Sequence, residues 1–283
     1  MSFFKTSDGQ SLYFEDWGAG DPIVFIHGWP LSGSMWEYQM VDLAERGHRC
    51  IAYDRRGFGS SDKPYSGYSY ERLGRDLAEL IEKLDLKNVT LVGFSMGGGE
   101  VIEYLTRHNS KQRVVKVVLA ASVVPLLVKT DDNPDGVEER AFYEMIEGLR
   151  ADRPAFLTDF AQTFFGVGVL RSPISMPMLA ATCESAMRAS PKATIDCVTT
   201  FSTTDFRDDL AGIQVPVLVM HGDADKTVPL NVTGKKAAAA IPGAILKVYS
   251  GAPHGLFYTE RDRFNDDLDL FHSGRKSVSA AAE

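Results

Sequence analysis

The stretch Val92-Gly93-Phe94-Ser95-Met96-Gly97-Gly98 constrains this chain more than any other. Before it, Asn88 to Val92 is apolar and β-branched enough to read as a buried strand; after it, Gly98 to Arg107 has the composition of a helix. A serine at such a turn, with a glycine two residues to either side, has the G-x-S-x-G spacing. The spacing has a physical reason. The turn is tight enough to hold the serine backbone in a strained conformation, and a side chain at Gly93 or Gly97 would strike the neighbouring strand or helix. The Ser95 hydroxyl is thereby lifted above the sheet edge, where the N-terminus of the following helix favours developing negative charge. Alone, the motif also reads as a glycine-rich turn closing a strand–helix unit, so the rest of the chain has to decide.

The surrounding pattern supplies the sheet that such a turn needs. Short apolar runs at Leu12–Trp17, Ile23–Ile26, Arg49–Tyr53, Val89–Val92, Val115–Ala121, Val217–Met220 and Ile245–Tyr249 read as strands. Between them lie helical stretches at Ser34–Arg46, Glu71–Leu84, Glu100–Arg107 and Arg261–Phe271, the second carrying Leu73, Leu77, Leu80, Ile81 and Leu84 on one face. The alternation predicts an α/β fold with a mostly parallel central sheet flanked by helices. From Ser122 to Val215 the rhythm changes to helical stretches alone (Glu138–Arg150, Arg153–Phe165, Pro177–Ala189, Lys192–Phe201). We therefore expect a core formed by residues 1–121 and 216–272, a helical cap inserted over 122–215, and a flexible tail over 273–283. The cap's aromatic and methionine side chains suit either its own core or the roof of an apolar pocket, and Phe142 and Phe160 are taken as substrate-binding candidates with Trp29, Phe94 and Val228.

Composition narrows the partners. The formal net charge is −8 and no basic run is present, which disfavours nucleic acid and anionic membrane surfaces. No run approaches the roughly 20 apolar residues of a membrane span, and the start has no signal-peptide pattern. The three cysteines, Cys50, Cys183 and Cys197, are too few and too dispersed for a disulfide framework or a zinc cluster. A cytoplasmic setting is expected. Gly57-Phe58-Gly59-Ser60-Ser61-Asp62 lacks the third glycine and the helix of a dinucleotide loop, and no cofactor or metal is expected.

A serine hydroxyl is a poor nucleophile unless a base takes its proton and an acid orients that base. On a sheet of this kind the chain order is nucleophile, acid, histidine. After strand Val217–Met220 comes His221-Gly222-Asp223-Ala224-Asp225; after strand Ile245–Tyr249 comes Gly251-Ala252-Pro253-His254-Gly255. Both loops follow carboxyl ends of predicted strands, where open α/β sheets place their sites. Asp225, further into its loop, is preferred over Asp223 as the acid, and His254 is the base. His221 is read as a brace for its loop, and His108 and His272 as residues of surface helices. Charge developing on a carbonyl oxygen needs two N–H donors. Met96, after the nucleophile, is one. The other comes from His27-Gly28-Trp29-Pro30; Pro30 has no N–H, so Trp29 is the donor. Asp54-Arg55-Arg56 is read as an internal ion-pair brace.

Together, His27-Gly28-Trp29-Pro30, Tyr53-Asp54-Arg55-Arg56-Gly57-Phe58-Gly59-Ser60-Ser61, Gly93-Phe94-Ser95-Met96-Gly97-Gly98-Gly99, His221-Gly222-Asp223-Ala224-Asp225 and Ala252-Pro253-His254-Gly255 resemble the α/β-hydrolase superfamily. Within it they resemble the branch of cofactor-free haloperoxidases, bacterial arylesterases and perhydrolases, over about Leu12 to Phe271. The resemblance implies Ser95 as nucleophile, Asp225 as acid, His254 as base, Trp29 and Met96 as oxyanion donors, a compact helical cap and, often, homo-oligomers. It also implies hydrolysis of small-molecule esters, with hydrogen peroxide able to replace water and give a peracid that oxidises halide. Lactam or amide cleavage by the same triad is the alternative within catalysis, and a non-catalytic ligand receptor is the alternative outside it.

Overall fold

Strands buried on both faces need helices above and below them. That requirement organises the computed structural model, which describes residues 2–168 and 172–275. Among these residues β1 (Ser2–Lys5), β2 (Ser11–Trp17), β3 (Pro22–Ile26), β4 (Arg49–Tyr53), β5 (Val89–Phe94), β6 (Val114–Ala120), β7 (Val217–Gly222) and β8 (Ile245–Tyr249) form one eight-stranded sheet. Its order is β1-β2-β4-β3-β5-β6-β7-β8. The β1–β2 and β2–β4 pairs are antiparallel, and every pair beyond β4 is parallel. The chain leaves β3 to one side for β4 and returns on the other side for β5. The strand order therefore reverses between β3 and β5, and ligand sites of open α/β sheets form at such a point. The register sets Ile26 opposite Gly93 and Phe94 opposite Ala120, so the loops after β3, β5 and β6 leave the same edge side by side.

Helices α1 (Glu37–Glu45), α2 (Tyr70–Lys83) and α3 (Gly97–Arg107) connect the strands of the first half. On α2 the buried Leu73, Leu77, Leu80 and Ile81 form the expected apolar face. The insertion between β6 and β7 holds α4 (Glu139–Ala151), α5 (Arg153–Phe165), α6 (Met176–Met187), α7 (Pro191–Thr203) and α8 (Arg207–Leu210). Three of these start with a side-chain cap followed by proline: Asp152, Ser175 and Ser190 each accept from a backbone amide of the first turn. The chain closes with α9 (Gly234–Ala240), α10 (Leu256–Thr259) and α11 (Arg261–Ser273). No helix among the described residues is long and apolar enough to cross a membrane.

The differences from expectation have physical causes. Strand β1 buries only Phe4, too little to leave a period-2 signal. The helix expected from Ser34 opens as a 3-10 turn, Gly33–Trp36, before α1 begins. Helix α11 extends through Ser273 and ends at Gly274 in the left-handed region; of the expected tail, residues 276–283 lie outside those described. His272, expected on a surface helix, is instead buried. Its Nδ1 lies 2.8 Å from Thr90 Oγ1 on β5, and its ring meets the edge of His48 at 4.7 Å. A polar partner on the sheet made a buried histidine acceptable.

Candidate active site

Strand β5 runs into α3 through Ser95, whose backbone is left-handed at φ +53. An L-residue rarely adopts this conformation. Here the Ser95 amide holds it by donating to the Ala120 carbonyl at 2.9 Å. The flanking glycines are compulsory for space: a Cβ on Gly93 would sit 2.7 Å from the Gly97 carbonyl oxygen, and one on Gly97 would sit 2.6 Å from that of Ile26. The turn is thus jammed between α3 and β3, and Ser95 stands at the N-terminal end of an eleven-residue helix.

His254, in the loop after β8, places Nε2 3.0 Å from Ser95 Oγ. Its Nδ1 lies 2.6 Å from Asp225 Oδ2, and all three side chains are buried. The other Asp225 oxygen accepts from the amides of Thr227 and Val228 at 2.9 and 2.8 Å. His221 Nε2 lies 2.8 Å from the Val228 carbonyl and 3.3 Å from Asp225 Oδ2, which braces the loop. Burial alone would push the Asp225 carboxyl up, but the charge of His254 and the hydrogen bonds from His221 and His254 hold it well below the usual carboxylate range. Asp223 instead accepts from the Gly251 amide at 2.6 Å, tying the two loops together. The arrangement can move a proton from Ser95 to His254 beside a fixed negative charge.

The loop after β3 is held from behind. His27 is fully buried; its Nδ1 lies 2.9 Å from the Gly28 carbonyl, and its Nε2 accepts the Arg55 amide at 3.0 Å. Arg55 donates through Nη2 to the His27 carbonyl and through Nε to Glu100, each at 2.6 Å. Tyr53 donates its hydroxyl to the other Glu100 oxygen, also at 2.6 Å. Burial pushes the Glu100 carboxyl up, against the pull of Arg55. Arg56 pairs with Asp76 and Asp8, whereas Asp54 accepts the Gly33 and Ser60 amides. The brace expected at 54–56 therefore reaches outward to other elements, with Glu100 from α3 as its unforeseen member. Among the described residues, neither the Trp29 nor the Met96 amide donates to a protein acceptor.

Above Ser95 lies a cavity of about 370 Å³, roofed by the insertion and lined by Trp29, Val123, Leu127, Val137, Phe142, Met145, Phe156, Phe160, Phe201 and Val228, with Asp159, Lys226 and Thr227 also in its wall. The Trp29 indole is fixed by donating to the Thr194 carbonyl at 3.0 Å and by edge contact with Phe160 at 5.1 Å. Trp29, Phe142, Phe160 and Val228 thus reach the cavity. Phe94 does not. Its ring is fully buried, packed on His254 at 4.8 Å and on Phe257 at 5.1 Å. The substrate contact expected of Phe94 is therefore corrected to a packing contact beside the His254 imidazole.

The alpha/beta hydrolase fold family matches residues 21–261. A Synechocystis sp. relative named for non-heme chloroperoxidase activity is 48% identical, across 90% of this chain and 92% of its own length. The bifunctional esterase/perhydrolase of Acinetobacter calcoaceticus is 38% identical across 96% and 99%. The bromoperoxidase structure from Bacillus anthracis superposes with a TM-score of 0.92 at 44% identity, covering 96% of this chain and all of the other. The chain belongs to the α/β-hydrolase family, in its non-heme haloperoxidase branch.

In this hydrolase the insertion touches the histidine loop directly. The Gly255 amide donates to the Phe164 carbonyl at the end of α5 at 2.8 Å, and the Phe164 ring stands edge-on to the His254 imidazole at 5.0 Å. Phe164 is not itself in the cavity wall, so Phe164→Leu should let the imidazole drift while leaving the residues that line the acyl pocket in place. Misplacement of a reacting group is costly, so kcat should fall about tenfold while KM changes less than about twofold, a split that steady-state kinetics reads.

Proposed function

We propose that this hydrolase cleaves small carboxylic esters through an acyl-enzyme on Ser95, and that hydrogen peroxide replaces water in the second half-reaction to release a peracid. The observation that supports it most is the line from Asp225 through His254 to Ser95 at the floor of an apolar cavity. His254 Nε2 takes the Ser95 proton as Oγ attacks the ester carbonyl. The carbonyl oxygen gains its negative charge beside the Trp29 and Met96 amides. Collapse expels the alcohol with the proton returned from His254. Water then adds to the acyl carbon with its proton taken by His254, giving a carboxylic acid and free Ser95. Peroxide at the same position gives the peracid and the same free serine, and the peracid oxidises halide.

Residues 122–215 act in this reading as a cap over the core, supplying walls that keep bulk water from the acyl-enzyme. The relative from Acinetobacter calcoaceticus, an esterase and a perhydrolase in one protein, supports both half-reactions on one site. The test is p-nitrophenyl acetate hydrolysis with a metal chelator present, then bromination of monochlorodimedone with hydrogen peroxide and bromide, with and without acetate. Chelator-resistant hydrolysis and acetate-dependent bromination are expected. Hydrolysis without bromination would remove the peroxide half; no hydrolysis across short-acyl esters would overturn the reading.

A further inference from the structure

We propose that Met145 is a modification site, whose thioether is oxidised by peracid released in the cavity and whose sulfoxide then lowers the enzyme's activity. The inference rests on the peracid-forming reading above. Met145, half-buried on α4, lines the same cavity as Ser95. The other described methionines do not. Met40, Met96 and Met220 are buried in the core. Met35 and Met178 line a separate groove. Met176 and Met187 lie on the surface of the insertion, 70% and 39% exposed.

A peracid formed on Ser95 therefore meets one thioether before it leaves. A sulfur lone pair attacks the outer peroxy oxygen, the O–O bond breaks and an S–O bond forms. The peracid's proton passes to the departing carboxylate, which leaves as the carboxylic acid. Sulfur is oxidised by two electrons and the peroxide oxygen is reduced by two. Reaction inside the cavity has the advantage of proximity over reaction at an exposed site reached by diffusion. Oxidation from bulk solution follows exposure instead, so the two routes rank the methionines in opposite order.

The consequence comes from the wall around Met145. Val137, Phe142, Phe156, Phe160 and Phe201 share that cavity and carry no side-chain donor; the donors in its wall are Thr163, Lys226 and Thr227, with Ser95 at its floor. A polar sulfoxide set among those apolar side chains is a poor surface for an apolar acyl group, so the oxidised wall binds such groups less well. The reaction is reversible by methionine sulfoxide reductases. The peracid thus limits its own production when it accumulates.

The experiment uses full-length enzyme turning over p-nitrophenyl acetate with hydrogen peroxide, digested at intervals for peptide mass spectrometry, with peracid measured in parallel. Met145 should gain one oxygen about tenfold faster than Met176, and kcat/KM should fall about tenfold as it does so. Ser95→Ala given peroxide alone, or pre-formed peracetic acid, should oxidise Met176 first. Met145→Leu should keep a larger share of its own starting activity through the same exposure. Peracid production with Met176 oxidised ahead of Met145 would overturn the inference and leave the perhydrolase reading intact. Absence of peracid would overturn both, and a Met145 sulfoxide of equal yield in Ser95→Ala under peroxide would show that bulk oxidant, not product, is responsible.

Discussion

Ser95→Ala is expected to lower kcat for p-nitrophenyl acetate by about 10⁴-fold or more, with the folded state retained. The size follows from how much of the chemistry passes through one oxygen. In the proposed scheme there is no acyl-enzyme without Oγ, and His254 has only water to activate. The remaining rate comes from binding and from the two amides alone. His254→Ala should fall to nearly the same level, and the double variant should cost little beyond either single one, because the pair acts as a unit. That non-additivity is the more informative result: it separates a coupled Ser95–His254 pair, 3.0 Å apart, from two residues that each only shape the pocket. Circular dichroism and urea midpoints check that neither variant has unfolded. Near-full activity in Ser95→Ala would transfer the chemistry to another nucleophile and remove the acyl-enzyme from the scheme.

The parts of the site that sequence made legible are those in which chemistry and local backbone are inseparable. The elbow at Gly93–Gly97 could be read because both glycines answer a steric need within one turn, seen here as Cβ positions under 3 Å from carbonyl oxygens. Asp225 and His254 could be read because each follows a strand, so a one-dimensional pattern already carries their place on the sheet edge. The cavity wall was harder. Val123, Leu127, Val137, Met145, Phe156 and Phe201 come from several segments of the insertion, and periodicity tells which face of a helix is apolar but not whether another helix or a void faces it. Phe94 erred the other way: adjacency to Ser95 suggested a substrate contact, while β5 is buried along its whole length and the ring packs among Trp36, His254 and Phe257. Glu100 was silent in the sequence because it falls in the first turn of a helix, where a glutamate ordinarily serves the helix end from solvent; only the fold brings Arg55 and Tyr53 to it.

Removal of that buried carboxylate should produce the largest loss of stability. Glu100→Ala leaves the Arg55 guanidinium, itself fully buried, without a counter-charge, and an uncompensated buried charge costs about 3–5 kcal/mol. The Tyr53 hydroxyl loses its acceptor in the same step. Urea denaturation should show the loss as a lower midpoint. Activity should suffer separately, because Glu100 holds in place the Arg55 guanidinium that donates to the His27 carbonyl at 2.6 Å, and His27 begins the loop that carries the Trp29 amide. The double variant Arg55→Met, Glu100→Leu tells the two roles apart. Replacing a buried ion pair with apolar side chains is often neutral or stabilising, so most of the lost stability should return. With Arg55 gone, the His27 carbonyl lacks its donor and the loop its anchor, so kcat should stay depressed, by about 10²-fold where one oxyanion donor is misplaced. Recovery of both stability and kcat in the double variant would reduce the Arg55–Glu100 pair to a packing element. Recovery of stability alone would make it the device that aims the Trp29 amide at the developing oxyanion.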